Sequence, residues 1–233
     1  MPAPADAPTP PPTPMPRLVI DAAARADARP APPGRAPRVG VLALQGAFRE
    51  HRLAFERLGA VVCEVRKPWQ LEGLDGLVIP GGESTTMAKL MATYGFDRAL
   101  PAFHAAGGGV WGTCAGAIAV ATEIDGFPGQ PRLGLLDLAL ARNGYGRQVA
   151  SFEADLDVVG IAGSFRGIFI RAPRILRVGA GVETLAMYDG DAVAVASGRT
   201  VATVFHPELS GDDRIHAWVL GRWNTTAQDG VQP

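Results

Sequence analysis

Short apolar runs alternate with amphipathic stretches through the first half of the chain. Val39-Gly40-Val41-Leu42-Ala43-Leu44 has strand length and is ended by Gln45-Gly46. Phe48, His51, Leu53, Ala54, Phe55 and Leu58 then place an apolar stripe on a helix that Gly59 stops. Residues 61–65 read as a second strand, and Leu77-Val78-Ile79 as a third, cut by Pro80-Gly81-Gly82. Helices are expected over 86–94 and 96–106, a fourth strand at Gly109-Val110-Trp111-Gly112, and a helix over 115–122. Near-continuous apolar strands alternating with helices imply a parallel sheet covered on both faces. The second half is richer in strands, at 135–141, 149–158, 166–170, 184–188, 192–197 and 200–205, with a hairpin turning at Gly198. A last helix is expected over 212–223.

Composition changes this picture at the ends. The chain has 233 residues, 47% hydrophobic and 19% charged, enough core for one domain with an appendage. Twelve of its 20 prolines fall in residues 1–37, mixed with Ala, Arg and Asp. Such a segment buries too little apolar surface to offset its ordering entropy, so 1–37 reads as a disordered Pro/Ala-rich extension. An alternative is that translation begins downstream. Residues 38–223 read as the folded domain and 224–233 as a flexible tail. Leu18-Val19-Ile20 is too short for a signal-peptide core, and Asp6, Asp21 and Asp27 argue against a transit peptide. The expected location is the cytoplasm. A net charge of −1 gives no basic stripe for nucleic acid, and no apolar run reaches the length of a membrane span. Cys63 and Cys114 leave room for one bridge at most and no disulfide framework; Cys63 reads as a small buried hydrophobe.

The chemistry begins at Gly112-Thr113-Cys114-Ala115-Gly116, between a buried strand and a helix. A glycine-flanked nucleophile in that context is a nucleophile elbow. The turn lifts Cys114 above the C-terminal sheet edge and sets it at a helix start, where the dipole favours thiolate. The Ala115 N–H is then placed to meet an oxyanion. His206 ends a strand on the same sheet edge, and Glu208 lies two residues on, so the carboxylate can orient the imidazole. His51, His104 and His216 lie in helical stretches and are expected at the surface or half buried. Pro80-Gly81-Gly82-Glu83-Ser84-Thr85 follows the third strand, and its paired glycines let N–H groups approach a substrate oxygen. It lacks the spacing of phosphate-binding loops, and Ser84 or Thr85 suits the cap of the next helix.

Together, Pro80-Gly81-Gly82, the elbow and His206-Pro207-Glu208 resemble the class I (triad-type) glutamine amidotransferases. Further stretches narrow this to a similarity with the glutaminase subunits of pyridoxal 5'-phosphate synthase. These are Gly40 to Ala47 with Glu50-His51, Pro80 to Thr86, Arg142-Asn143 with Gly146-Arg147-Gln148, Ser151-Phe152-Glu153, Phe169 to Pro173, and His206 to Leu209. The resemblance covers 39 to about 222. It implies a three-layer flavodoxin-like α/β fold, with a mixed, mostly parallel central sheet and helices on both faces. It implies Cys114 as nucleophile, His206 as base and Glu208 as its orienter. Gly82, Glu83, Ser84, Arg142, Ile170 and Arg171 would hold L-glutamine. Gln45 would join Gly81, Gly82 and Ala115 in shaping the oxyanion hole. No cofactor or metal is implied. The implied partner is the pyridoxal 5'-phosphate synthase barrel subunit, an eight-stranded β/α barrel that takes the ammonia within a large hetero-oligomer. Gly144-Tyr145 falls where the family varies, and the proline-rich extension lies outside the family core. The rival readings are the glutaminase subunit of another amidotransferase, a cysteine peptidase or stress protein, and a non-catalytic regulatory module on the same fold.

Overall fold

A computed structural model describes residues 35–142, 144 and 151–224. A seven-stranded sheet is the centre of the fold, in the order β10-β11-β12-β4-β3-β1-β2. Strands β1 (Arg38–Leu42), β2 (Val61–Val65), β3 (Gly76–Ile79), β4 (Gly109–Thr113) and β12 (Thr200–Thr203) pair in parallel. The antiparallel edge is β11 (Asp191–Ser197) and β10 (Glu183–Tyr188). Strands β3, β4 and β12 are buried along their whole length, as parallel strands between two helical layers must be. The three-layer α/β expectation is therefore met by this mixed, mostly parallel sheet.

Local chemistry explains the helices. Helix α1 (Phe48–Arg57) buries His51, Ala54 and Phe55, one face at i, i+3 and i+4. It ends as expected, with Gly59 at φ +78° and the Ala60 N–H closing onto Phe55 O at 3.1 Å. A 3-10 turn over Pro68–Leu71 leads into β3. Helices α2 (Ser84–Thr93) and α3 (Phe96–Ala105) are separated by Gly95 in the left-handed region. Helix α5 (Arg214–Asn224) carries Trp223 onto the sheet, over Gly76 and Gly109 on adjacent strands. A Cβ at either glycine would sit 2.3 or 2.2 Å from the indole, so the two positions form a flat seat for the ring.

Several expectations change. The helix foreseen over 115–122 is shorter, α4 (Ala115–Val120), and the chain turns at once into β5 (Ala121–Asp125). Ala115-Gly116-Ala117-Ile118-Ala119-Val120-Ala121 is apolar on every side and buried throughout, so periodicity could not mark the change. Strand β5 pairs with β6 (Leu136–Ala141), which pairs with β9 (Arg174–Val178), a strand not foreseen because only Ile175 in it is buried. Strands β7 (Ser151–Leu156) and β8 (Phe165–Ile170) form a separate hairpin; residues 149 and 150 of the expected strand lie outside the described residues. The last helix starts at Arg214 rather than 212, because Asp212 turns its carboxylate onto the Arg214 N–H at 3.0 Å. Asn224, read as the start of the tail, is helical. Residues 35–37, read as part of the extension, are tied to the fold: Arg35 Nη2 donates to Asp75 Oδ1 at 2.6 Å and Pro37 O accepts from Val61 N at 2.8 Å. The expectations for most of the extension, for the tail, for Asn143 and for Gly146-Arg147-Gln148 fall on 1–34, 143, 145–150 and 225–233, outside the described residues. Among the described residues no helix is long and apolar enough to cross a membrane.

Candidate active site

Cys114 stands between β4 and α4 with φ +48° and ψ −103°, a region that L-residues avoid. The flanking glycines make the bend possible. A Cβ on Gly112 would lie 2.3 Å from Gly116 O, and one on Gly116 would lie 1.9 Å from Ile79 O. The elbow is also pinned by Cys114 N–H donating to Thr203 O at 2.8 Å and Ile118 N–H to Cys114 O at 3.3 Å. Backbone strain held by its surroundings in this way is a mark of a functional position.

Strand β12 ends at Thr203 rather than at 205, so His206 lies just beyond it, and its own N–H is bonded to Ile168 O on β8 at 2.8 Å. Its Nδ1 lies 2.7 Å from Glu208 Oε1. The Glu208 side chain is fully buried, behind the imidazole. The Cys114 thiol faces the same cleft as the ring, with its Sγ 3.9 Å from Ile170 O. Burial is the largest single influence and would lower the imidazole pKa. The nearby Cys114 and the hydrogen bond to Glu208, with their negative charge, outweigh it and raise the value to about 10. A cysteine facing an imidazole that a buried carboxylate supports is the arrangement of a Cys-His-Glu triad.

A cleft of about 220 Å³ opens over this pair, lined by Cys114, Ala115 and His206. Gly82, Glu83, Ser84, Arg142, Ile170 and Arg171, all singled out in the sequence, line it too. Ile118 and Pro173 also contribute, and neither was anticipated. Ile118 is one turn after the nucleophile on α4, a spacing that could have found it. Arg171 sits at φ +43° just after β8, a second strained residue in the cleft wall.

Glu83 is the N-cap of α2, a part the sequence assigned to Ser84 or Thr85. Its carboxylate accepts from Thr85 N at 3.0 Å and Thr86 N at 2.6 Å. The Thr86 hydrogen bonds, helped by Thr85 and opposed by partial burial, hold the carboxyl at about 2. Arg142 reaches Glu83 Oε1 at 3.5 Å and Gln130 Oε1 at 3.0 Å, with its guanidinium 4.5 Å over the Phe127 ring. Gln45 is not among the residues that line the cleft. Its Oε1 accepts from Glu83 N at 3.3 Å and its Nε2 donates to Glu83 O at 3.2 Å. Gly81 is not among the lining residues either: its carbonyl accepts from Ala47 N at 3.1 Å, and its Cα faces His206, where a Cβ would be 2.3 Å from Cε1.

Two of the other histidines differ from expectation. His51 and His216 are fully buried, not at the surface, and hydrogen-bond to each other. His104 is half buried, its Nε2 2.8 Å from Thr200 Oγ1. Both cysteines are free thiols, and Cys63 is only half buried, with Gln70 Nε2 at 3.9 Å from its sulfur.

Comparison with known proteins agrees with the geometry. Residues 41–224 match the model of the SNO glutamine amidotransferase family. The "Pyridoxal 5'-phosphate synthase subunit PdxT" of Deinococcus radiodurans is 54% identical over 187 residues, covering 78% of this chain and 95% of that one. The protein of the same name from Geobacillus kaustophilus is 50% identical over 183 residues, covering 78% and 93%. A crystal structure described as a glutamine amidotransferase superposes with a TM-score of 0.78 at 52% identity, over 80% of this chain and 99% of that one. A glutamine amidotransferase from Thermotoga maritima shares the fold alone, with a TM-score of 0.53 at 13% identity, over 81% of this chain and 81% of that one.

Proposed function

The chain belongs to the SNO glutamine amidotransferase family, and from that premise we propose that it is the glutaminase subunit of a pyridoxal 5'-phosphate synthase. It hydrolyses L-glutamine to glutamate and ammonia. The observation that carries the reading is that Cys114 and His206 line one cleft, with Glu208 Oε1 2.7 Å behind the imidazole.

In this reading His206 takes the Cys114 proton on Nε2, since Nδ1 is held by Glu208. The thiolate attacks the side-chain amide carbon of glutamine. The oxyanion that develops is met by N–H groups of Ala115 and of the Gly81-Gly82 loop, with Gln45 bracing that loop through Glu83. The tetrahedral intermediate breaks its C–N bond, the nitrogen leaving as ammonia with the proton from His206. Water then attacks the thioester, His206 accepts its proton, and glutamate departs as the thiolate is restored. Arg142 and Arg171, which line the cleft, would receive the substrate α-carboxylate, to which a guanidinium fork offers two parallel hydrogen bonds. Glu83, ionised at neutral pH, and Ser84 complete the pocket beside Gly82 and Ile170. The triad itself needs no metal or organic cofactor.

The ammonia passes to a synthase subunit, which we take to be the eight-stranded β/α barrel, in a large cytoplasmic hetero-oligomer. The Gln45–Ala47 loop, bonded to Gly81 and Glu83, is the segment through which docking would adjust the oxyanion hole. The test is glutamate release from glutamine with and without that subunit, together with Cys114→Ala. Release should rise on docking. The variant should lose glutamine-dependent pyridoxal 5'-phosphate synthesis and keep the ammonia-dependent reaction of the partner. Loss of both would refute this division of labour.

A further inference from the structure

Glu208 spends one oxygen on His206; the other, Oε2, is buried with no hydrogen-bonded partner among the described residues. An anionic oxygen left bare in the interior is costly. One donor is within reach. His51 Nε2, on α1, lies 3.4 Å from Glu208 Oε2, and both side chains are fully buried. The same Nε2 is 3.2 Å from Thr113 Oγ1, beside the nucleophile. On its far side His51 Nδ1 lies 2.9 Å from Nε2 of His216, on α5. Trp111 and Phe55 wall the pair, with ring centroids 5.2 Å from His51 to Trp111 and 5.0 Å from His216 to Phe55.

Both rings are neutral at physiological pH. Burial, then the charges of His216 and His206, push His51 well below the usual imidazole range. Burial brings His216 to about 4, with Asp213 and Asp212 opposing and Arg57 assisting. Each ring therefore has one N–H, and the two arrangements are unequal. If His51 donated from Nδ1, its Nε2 lone pair would face the Glu208 carboxylate. His216 would then hold its proton on Nδ1, which is buried without a hydrogen-bonded partner among the described residues. That leaves a buried N–H donor and a buried carboxylate oxygen both unpaired. If His51 donates from Nε2, the carboxylate oxygen gains its donor. His216 Nε2–H then bonds to His51 Nδ1, and the unpaired His216 Nδ1 is only a lone pair.

We propose that His51 is a positioning residue for the glutaminase reaction: its Nε2–H, shared between Glu208 Oε2 and Thr113 Oγ1, orients the triad carboxylate, and His216 fixes the tautomer that allows it. The inference rests on the triad reading above and extends the line of contacts to Cys114–His206–Glu208–His51–His216. It also gives α1 two parts in the site. The loop that opens the helix grips Gly81 and Glu83, and its first turn braces Glu208.

The proposal is tested first on the unmodified full chain, labelled with ¹⁵N-histidine, by the long-range ring couplings that report which nitrogen carries the proton. His51 should be the Nε2–H tautomer; an Nδ1–H tautomer overturns the proposal. In the complete complex, His51→Phe should lower kcat for glutamate release about 10- to 100-fold, the kinetic equivalent of one hydrogen bond to a charged group. KM should stay within about 3-fold, because the contact acts on the base and not on bound glutamine. His51→Gln, which keeps a donor near Nε2, should recover most of kcat. A full rate in the Phe variant overturns the proposal, as does a loss that Gln leaves unrecovered, which would mark a packing role. Should the Phe variant fail to fold, the tautomer of the unmodified chain decides. An unmodified complex that releases no glutamate would sink the glutaminase reading instead, while leaving the tautomer readout to decide this one.

Discussion

Gly81→Ala probes how tightly the catalytic pair is confined. The added Cβ would lie 2.3 Å from His206 Cε1 and 2.9 Å from Nδ1. Carbon–carbon contacts relax near 3.5 Å, so the ring or the loop must give by about 1 Å. The ring cannot retreat cheaply, since Nδ1 is bonded to a buried Glu208 and the His206 backbone to Ile168. The loop is held as well, through Gly81 O and Ala47 N. A displacement of about 1 Å between reacting groups costs roughly 100-fold in rate, or about 3 kcal/mol of barrier. Steady-state glutamate release by the docked complex should fall by about that factor. Ammonia-dependent synthesis by the partner serves as the control and should change little. A kcat within about 3-fold of the unmodified enzyme would show that the site absorbs the methyl group, and that the close approach of Gly81 to His206 has no catalytic weight.

Further outcomes follow from the charges and stacking around the cleft. His206 has its folded pKa raised to about 10, so its contribution to stability is complete below the unfolded value near 6.5 and is lost as pH rises through about 10. Urea midpoints should therefore fall between those limits, and Glu208→Gln should flatten the fall; parallel curves would contradict the charge-supported pair. Glu83 has the opposite sign: its carboxyl is lowered to about 2, so its contribution is present above about 4.5 and is lost as pH falls toward 2. Glu83→Ala should cost about 1 kcal/mol as a lost N-cap, read as a lower melting temperature at pH 7 that converges with the unmodified protein in acid. Phe127→Ala removes the ring under the Arg142 guanidinium and should raise KM for glutamine roughly 3- to 5-fold with kcat nearly unchanged. An unchanged KM would place Arg142 outside the substrate pocket.

The parallel half of the sheet was legible because burial on both faces leaves an unbroken apolar run, as in Leu77-Val78-Ile79, and because Gly59 and Pro80 punctuate it. Where those signals fade, so does the reading. An all-apolar stretch carries no phase, and the passage from α4 to β5 falls inside one. Strand β9 shows the reverse problem, with Arg174 and Arg177 facing solvent and Ile175 its one buried position. Its place is set by pairing with β6, a long-range contact with no local trace.

The same distinction divides the site. Cys114, His206 and Glu208 could be read because each belongs to a short motif whose geometry is local: a bend between glycines, and a carboxylate two residues from the imidazole it holds. Glu83 could be placed in the pocket but not recognised as the cap, since Ser84 and Thr85 are equally good capping residues and only the helix start decides among them. His51 and His216 were misplaced because a histidine on an amphipathic stripe is read by its neighbours along the helix, whereas these two are set by partners 165 residues apart. Buried, they bridge α1 and α5 behind a triad delivered by β4 and the end of β12. A nucleophile needs only a local bend, but a base with a fixed tautomer and aim needs a polar chain satisfied far into the core, and that chain becomes visible only once the helices are packed.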